Sequence, residues 1–363
     1  MLANNTYKSS HLILSKIFSF FISPVFLFRN LFKRRYKLDE IEVKTILVTE
    51  YHRIGDLLLI NDSLISIKKK FPNAKLILVC NELASDFAKE LKMADEVLAI
   101  NVPWTNWDWS FSKWRYARTF ARKIKSKEID LAFDFKGDIR NGWFLWHTDP
   151  KISFGYSTTG GNYFFTNSFN MDHKKHQSFR AGELISKAGC SYFHRRSNYK
   201  RLNKDGSVVF HVGSSDKKRA WPIEHWIELV ELIIPSFNVT LVETPESNSL
   251  QNILKQKNYN VKSFKGNLIE LKNWLKYQYC LIGVDSMAGH LAAYVGIPVF
   301  TIFGSNDPGL TRPISAVGEI IVPENNCDHK RKHWRLCEEC LDSVSPQKVA
   351  KCLFKKISEL ERQ

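Results

Sequence analysis

Hydrophobic positions divide the chain into an apolar N-terminal run and a long alternation of short apolar strands with amphipathic helices. Between Leu12 and Phe32 apolar residues are nearly continuous, while Ser15, Ser19 and Ser23 recur every fourth residue and so share one narrow helical stripe. Pro24 predicts a kink or a division of that helix, because it lacks an N–H and crowds the preceding turn. A membrane span needs about 20 uninterrupted apolar residues. Lys16, Pro24 and Arg29 break the run, so an in-plane amphipathic arm over residues 1–38 is expected. Lys33, Arg34, Arg35 and Lys37 follow, and would draw the arm to anionic lipid. A helix packed on the protein's own body is the alternative, while a signal peptide would need a small-residue cleavage site that the run lacks.

After residue 41 the pattern predicts strands over 45–50, 75–80, 97–100 and 130–134. Between the first two lies a helical stretch with Leu57, Leu58, Ile60, Leu64, Ile65 and Ile67 on its apolar side, closed by Phe71-Pro72-Asn73. Strand, helix, strand of this length is a right-handed βαβ unit. The second half repeats the plan, with strands over 207–211, 239–243, 279–283 and 298–303 and helices over 222–232 and 287–294. The polar stretch from His194 to Lys204 marks the boundary. The expected organisation is therefore an arm (1–38), a first Rossmann-like domain (39–195) and a second (196–363). Two such doubly wound α/β halves facing one another place ligands at the carboxyl ends of their strands, in a central cleft.

The 363 residues, 44% hydrophobic and 25% charged, exclude wholesale disorder. Neither half carries GxGxxG, which removes the usual support for a nicotinamide dehydrogenase. Seven cysteines, odd in number and scattered, do not form a secreted disulfide framework; Cys80, Cys190 and Cys280 read as small buried hydrophobes. Cys327, Cys337, Cys340 and Cys352, with His329 and His333, invite a zinc reading, but only Cys337 and Cys340 have ligand-pair spacing and no metal is expected. The net charge of +16 admits a different class, a basic non-enzymatic protein on membrane or nucleic acid. No recognised nucleic-acid module occurs, so nucleic acid is not an expected partner. Trp104, Trp107, Trp109 and Trp114, interleaved with Lys113, Arg115, Arg118, Arg122 and Lys123, are read either as a grip on anionic sugar or lipid or as helix packing with a solvated basic face.

Three motifs fall where strands meet helices. In His52-Arg53-Ile54-Gly55-Asp56, Asp56 lies at a helix start, where a carboxylate caps the helix or, facing a cleft, takes a proton from a sugar hydroxyl. In the segment from His211 to Pro222, Gly213-Ser214-Ser215 and the cations Lys217-Lys218-Arg219 offer N–H groups and charge for a diphosphate, or simply form a solvated basic loop. In Gly283-Val284-Asp285-Ser286-Met287-Ala288-Gly289-His290, small residues let an anion approach a helix N-terminus; the structural alternative makes Ser286 an N-cap and His290 a packed histidine.

In this order, with Gly296-Ile297-Pro298 and Phe303-Gly304–x–x–Asp307-Pro308 after them, the motifs resemble the ADP-heptose:lipopolysaccharide heptosyltransferase family over about residues 43 to 350. The resemblance implies an α/β GT-B fold, with acceptor saccharide in the N-terminal half and donor nucleotide in the C-terminal half. It further implies a metal-independent, inverting glycosyltransferase that needs no cofactor and adds heptose from ADP-L-glycero-D-manno-heptose to the lipopolysaccharide core, at the cytoplasmic face of the inner membrane. By position, Asp56 matches the family's general base. Ser214, Ser215, Lys218, Arg219, Glu246, Asp285, Ser286, Met287, Ala288, Gly289 and His290 match donor-binding positions, with Glu243 a rival to Glu246 for the ribose. Arg53, Lys136 and Arg140 are the expected acceptor contacts. Lys136 stands where the family usually has Gln, and Arg219 where it usually has Lys. A related GT-B transferase using another nucleotide sugar or acceptor is the neighbouring alternative.

Overall fold

The computed structural model describes residues 9–105, 110–193, 202–214, 217–304, 306–324, 337 and 339–362. The chain separates into two compact units, Met1–His194 and Arg195–Gln363. In the first, strands β1 (Thr45–Glu50), β2 (Lys75–Cys80), β3 (Glu96–Ala99), β4 (Leu131–Asp134), β5 (Ile152–Tyr156) and β6 (Asn167–Phe169) form one parallel sheet in the order β3-β2-β1-β4-β5-β6. In the second, β7 (Val208–His211), β8 (Val239–Val242), β9 (Lys262–Phe264), β10 (Cys280–Val284), β11 (Val299–Ile302) and β12 (Gly318–Ile321) repeat that order as β9-β8-β7-β10-β11-β12. Both are therefore doubly wound sheets that reverse direction between their first and fourth strands, the switch point at which such sheets bind ligands.

The central strands are apolar along their whole length because helices cover both faces. Ile46, Val48, Leu76 and Leu78 pack on one side of the first sheet, and Leu47, Ile77 and Val79 on the other. The first-unit helices are α1 (Ser9–Leu31), α2 (Ile54–Lys70), α3 (Glu82–Glu90), α4 (Phe111–Lys125), α5 (Ile139–His147) and α6 (Gln177–Ser186). The second unit has α7 (Ile223–Ile233), α8 (Pro245–Gln256), α9 (Leu268–Leu275), α10 (Met287–Val295), α11 (Pro308–Thr311), α12 (Glu339–Asp342) and α13 (Pro346–Glu361). Side chains fix several starts: Asn81 accepts from the Leu83 N–H at α3, Asp138 from Arg140 at α5, and Asn267 from Ile269 at α9.

Pro24 does not divide α1, which runs unbroken through it. The proline deprives the Phe20 carbonyl of its N–H donor four residues on, and the Ser23 hydroxyl donates to that carbonyl instead, at 2.8 Å. Ser15 and Ser19 of the serine stripe face inward. Ser15 Oγ donates to the Thr159 carbonyl at 2.6 Å, Ser19 Oγ accepts from the Gly161 N–H at 2.8 Å, and Asn30 bonds Tyr163 and Trp146. Phe26 packs on Trp146, Tyr163 and Phe164. The helix thus meets its own body, yet its broad apolar side stays in solvent. Trp104 is buried, donating to Asn141 Oδ1 and stacking near Trp114, so these two indoles pack; Trp107 and Trp109 lie outside the described residues. Cys80, Cys190 and Cys280 are buried free thiols.

Candidate active site

The two ends of the first switch point carry acidic residues. Glu50 closes β1 and Asp134 closes the neighbouring β4, where continuous apolar strands run out into polar turns. Asp56 sits in the first turn of α2, and its Oδ2 accepts the Arg53 N–H at 3.1 Å, so the capping role is realised. Its other oxygen does something else. Asp56 Oδ1 accepts from Lys136 Nζ and from Gln177 Nε2, each at 2.8 Å. Lys136 also lies 3.2 Å from Glu50 Oε2, and His52 Nδ1 lies 2.9 Å from Glu50 Oε1. Five polar side chains from β1, the turn after it, α2, the turn after β4 and the start of α6 therefore share one network.

Burial alone would raise Asp56, but the Lys136 ammonium, with His52 and the Gln177 amide, overrides it and holds the carboxyl well below the usual carboxylate range. Asp134 goes the other way. Fully buried, with Asn141, the Gly137 N–H and Thr49 as its donors among the described residues and with the Glu50 charge nearby, it is pushed up to about 7. Two carboxylates of the same unit, one at the start of α2 and one at the end of β4, are thereby set apart in proton affinity by their surroundings. Arg140 folds back onto Asp138, its Nε 2.8 Å from Oδ1, and Arg53 is exposed at the mouth of α2.

The second unit repeats the geometry at its own switch point. Asp285 follows β10, and Arg219 Nη1 lies 3.3 Å from its Oδ2, which also accepts from Asn306. Arg219 Nε is buried without a hydrogen-bond partner among the described residues. Ser286 occupies the N-cap position of α10 but makes no capping bond; its hydroxyl turns to His211 Nδ1 at 3.3 Å. The α10 start, from Met287 through Ala288 and Gly289, so keeps its backbone N–H groups clear of a side-chain cap. His211 is pushed down to about 4 by burial, against the opposing pull of Glu246. That pull places Glu246 beside the turn after β7, and a Cβ added to Gly213 would meet Glu246 Oε2 at 2.9 Å. Glu243 instead accepts from Ser263. Ser214 stands half-buried in the same turn, Lys218 is exposed, and His290 is buried within α10. Ser215 lies outside the described residues, as do Cys327, His329 and His333 of the zinc reading. Among the described residues no cluster of His, Cys, Asp or Glu is arranged to hold a metal ion.

Glu50, His52, Gln177, His211 and Asn306 complete these clusters without having been singled out as site residues. Glu50 and His211 had a readable signal, a polar residue ending a wholly apolar strand. Gln177 and Asn306 had none, since only the fold brings them to Asp56 and Asp285.

Two doubly wound sheets, each with a charged cluster at its switch point, make this a two-domain α/β protein with candidate ligand sites at the carboxyl ends of its strands. The family model for glycosyltransferase family 9 (heptosyltransferase) matches residues 117–340, and the chain belongs to that family. It is a glycosyltransferase. Lipopolysaccharide heptosyltransferase 1 of Escherichia coli O18:K1:H7 (strain RS218 / NMEC) is 21% identical over 285 residues, which cover 73% of this chain and 87% of that one. Among solved structures, the family 9 glycosyl transferase from Veillonella parvula DSM 2008 superposes with a TM-score of 0.72 at 16% identity, covering 88% of this chain and 99% of that one. E. coli heptosyltransferase WaaC with ADP-2-deoxy-2-fluoro heptose gives 0.67 at 17%, covering 86% and 99%. These likenesses bear out the expected GT-B fold.

Proposed function

We propose that this enzyme transfers L-glycero-D-manno-heptose from its ADP derivative to a sugar hydroxyl of the lipopolysaccharide core, with inversion at the anomeric carbon and without a metal. The donor identity is supported by the ADP-2-deoxy-2-fluoro heptose bound to the E. coli relative, and the acceptor class by the curated relative's name. The first unit takes the acceptor and the second the ADP-sugar. The reaction is placed at the cytoplasmic face of the inner membrane, with the N-terminal arm on anionic lipid.

The observation that carries the reading is the Asp56 carboxylate, ionised by its partners and exposed enough to meet a substrate hydroxyl (24% of its side chain is accessible). A hydroxyl is a poor nucleophile near neutrality, and a carboxylate that removes its proton in the transition state contributes about 10²–10⁴-fold. The Lys136 pairing makes Asp56 a weak base at rest. An anionic group on the arriving acceptor would draw Lys136 off and raise the proton affinity of Asp56 as the hydroxyl arrives, with Arg53 and Arg140 at the rim as further anion contacts. On the donor side, Arg219, Lys218, Ser214, Ser215 and the α10 start through Ser286 to His290 stabilise the charge that grows on departing ADP, a fixed arrangement of the kind worth about 3–4 kcal/mol per well-placed donor. Asp285 orients Arg219, and Glu246 holds the ribose.

The test is incubation of the full chain with ADP-heptose and defined truncated core saccharides, read as mass gain, with other nucleotide sugars run beside it. Addition of one heptose supports the reading. Transfer only from another nucleotide sugar replaces the donor, and ADP affinity without transfer to any core saccharide removes the acceptor class.

A further inference from the structure

An amphipathic helix on a protein in water packs its apolar side inward; α1 is seated the other way round. At about 100° per residue, Ser15, Ser19, Ile22, Phe26 and Asn30 fall on one face. That is the face held by Thr159, Gly161, Tyr163 and Trp146. The opposite face presents Leu14, Ile17, Phe20, Phe21, Phe28 and Leu31, with Phe20 74% exposed and Phe21 72%. An apolar face of that breadth left outside is matched to a low-dielectric partner rather than to water.

The chemistry at the rim of the face identifies the partner. Where α1 ends, Lys33 and Lys125 share Asp149, at 2.6 and 2.8 Å, and the Lys33 ammonium lies 4.4 Å from the centre of the Trp146 ring. His147 beside them is pushed down to about 4, first by its burial and then by the charges of Arg118, Arg122, Lys33 and Arg29. Four cations from α1, the turn after it and α4 are therefore gathered at one edge of the apolar face, and α4 adds the exposed Phe111, seven residues before Arg118 and so on the same side of the helix. Apolar rings bordered by clustered cations match the hydrocarbon and the anionic headgroups of a bilayer surface.

The seating also fixes the orientation. The bonds from Ser15 to Asn30 run along about 22 Å of helix axis. A helix crossing the bilayer upright with those bonds intact would carry the turn at residues 159–164 into hydrocarbon, where irregular backbone exposed to lipid is not tolerated. We infer that the outer face of α1, with Arg29, Lys33, Arg118 and Arg122, is a docking surface for an anionic bilayer, on which α1 lies in the plane of the interface while still bonded to the first unit. This deepens the membrane-contact part of the proposed function and is independent of which sugar is transferred.

The experiment is vesicle flotation of the full chain with phosphatidylcholine alone and with phosphatidylcholine containing phosphatidylglycerol, at low and high salt. The expected result is capture by the anionic vesicles, at least about tenfold weaker on neutral vesicles or in high salt, with complete release by alkaline carbonate. Replacing Arg29, Lys33, Arg118 and Arg122 together by Gln should reduce capture to the neutral-vesicle level, and Phe20→Glu with Phe21→Glu should abolish it. Equal capture by both vesicles, carbonate-resistant insertion, or no capture together with self-association of the chain each overturns the inference. Transfer to a lipid-free core saccharide, measured on the same samples, separates that failure from failure of the transferase reading.

Discussion

The Lys136 ammonium stands 2.8 Å from Asp56 Oδ1, joining residues 80 positions apart at the mouth of the first switch point. Lys136 is 15% exposed and touches a second carboxylate, Glu50, that is fully buried. Its removal leaves two carboxylates facing each other with little water, so Lys136→Gln should destabilise the fold by about 3 kcal/mol. It should also raise the proton affinity of Asp56. The acid limb of the transfer rate then moves upward by about one pH unit or more, read from a kcat profile between pH 4 and 8. Asp56→Ala should lower transfer by about 10²–10⁴-fold while calorimetry finds ADP affinity unchanged. Wild-type turnover in that variant would remove Asp56 from the mechanism.

Asp134 gives a stability signature of opposite sign to that of Asp56. The Asp56 carboxyl is held low in the folded state, so its contribution is present above the unfolded value near about 4 and lost as the pH falls below it. The Asp134 carboxyl, pushed up to about 7, keeps its proton when the unfolded chain has released it. Stability is therefore lost as the pH rises from about 4 to 7, by on the order of a few kcal/mol. His211 and His147, both pushed down to about 4, act against this trend, since their contribution grows from about pH 4 to the unfolded value near 6.5. The Asp134 effect is accordingly read as a difference. Urea unfolding of Asp134→Asn and wild type, side by side, should show the variant gaining relative stability from pH 5 to 8; a constant difference would contradict the buried, proton-holding state.

Arg219 and Asp285 form the corresponding pair of the second unit, with Arg219 Nε left buried and unpartnered among the described residues. A charge-assisted hydrogen bond contributes about 1.5–3 kcal/mol, so Arg219→Ala should weaken ADP binding by about 10- to 100-fold in calorimetry. Arg219→Lys keeps the charge but loses the fork, and should recover only part of that affinity. Full affinity in the alanine variant would separate this loop from the nucleotide.

How much of this was legible in the sequence follows from what each residue's neighbours could report. β1 and β2 match their expected bounds, 45–50 and 75–80, because a doubly covered strand must be apolar throughout. β5, β6, β9 and β12 escaped notice: Ser153 and Gly155 interrupt the apolar run of the buried β5, while the other three are short edge strands and Lys262–Phe264 is largely exposed. Asp56 and Asp285 were visible because each sits where a strand hands over to a helix. Gln177 was not, being 121 residues from Asp56 and placed there only by the packing of α6 on α2. The serine stripe of α1 was legible as a stripe, but its direction was not, since periodicity does not say which side the body occupies.

The arm reaches the acidic network through one short relay. Ser15 bonds the Thr159 carbonyl, the Thr159 N–H donates to the Gly137 carbonyl at 3.1 Å, and Thr159 Oγ1 accepts from the Ile139 N–H at 2.8 Å. Gly137 follows Lys136 directly and adopts a φ of +72°, with an added Cβ falling 2.7 Å from Thr158 Oγ1, so the turn has no slack. Gly160 is the close-approach point on the other side, with a φ of +100° and an added Cβ 2.6 Å from the Ser19 Cβ. Gly160→Val therefore strains its own turn and pushes α1 off its seat, without placing an atom against Asp56 or Lys136. With a lipid-free saccharide acceptor, this variant should lose kcat and shift the acid limb toward that of Lys136→Gln, while ADP affinity in the second unit stays at the wild-type value. Transfer to that soluble acceptor at the wild-type rate with an unshifted pH profile would show that neither this turn nor the arm seated on it acts on Asp56.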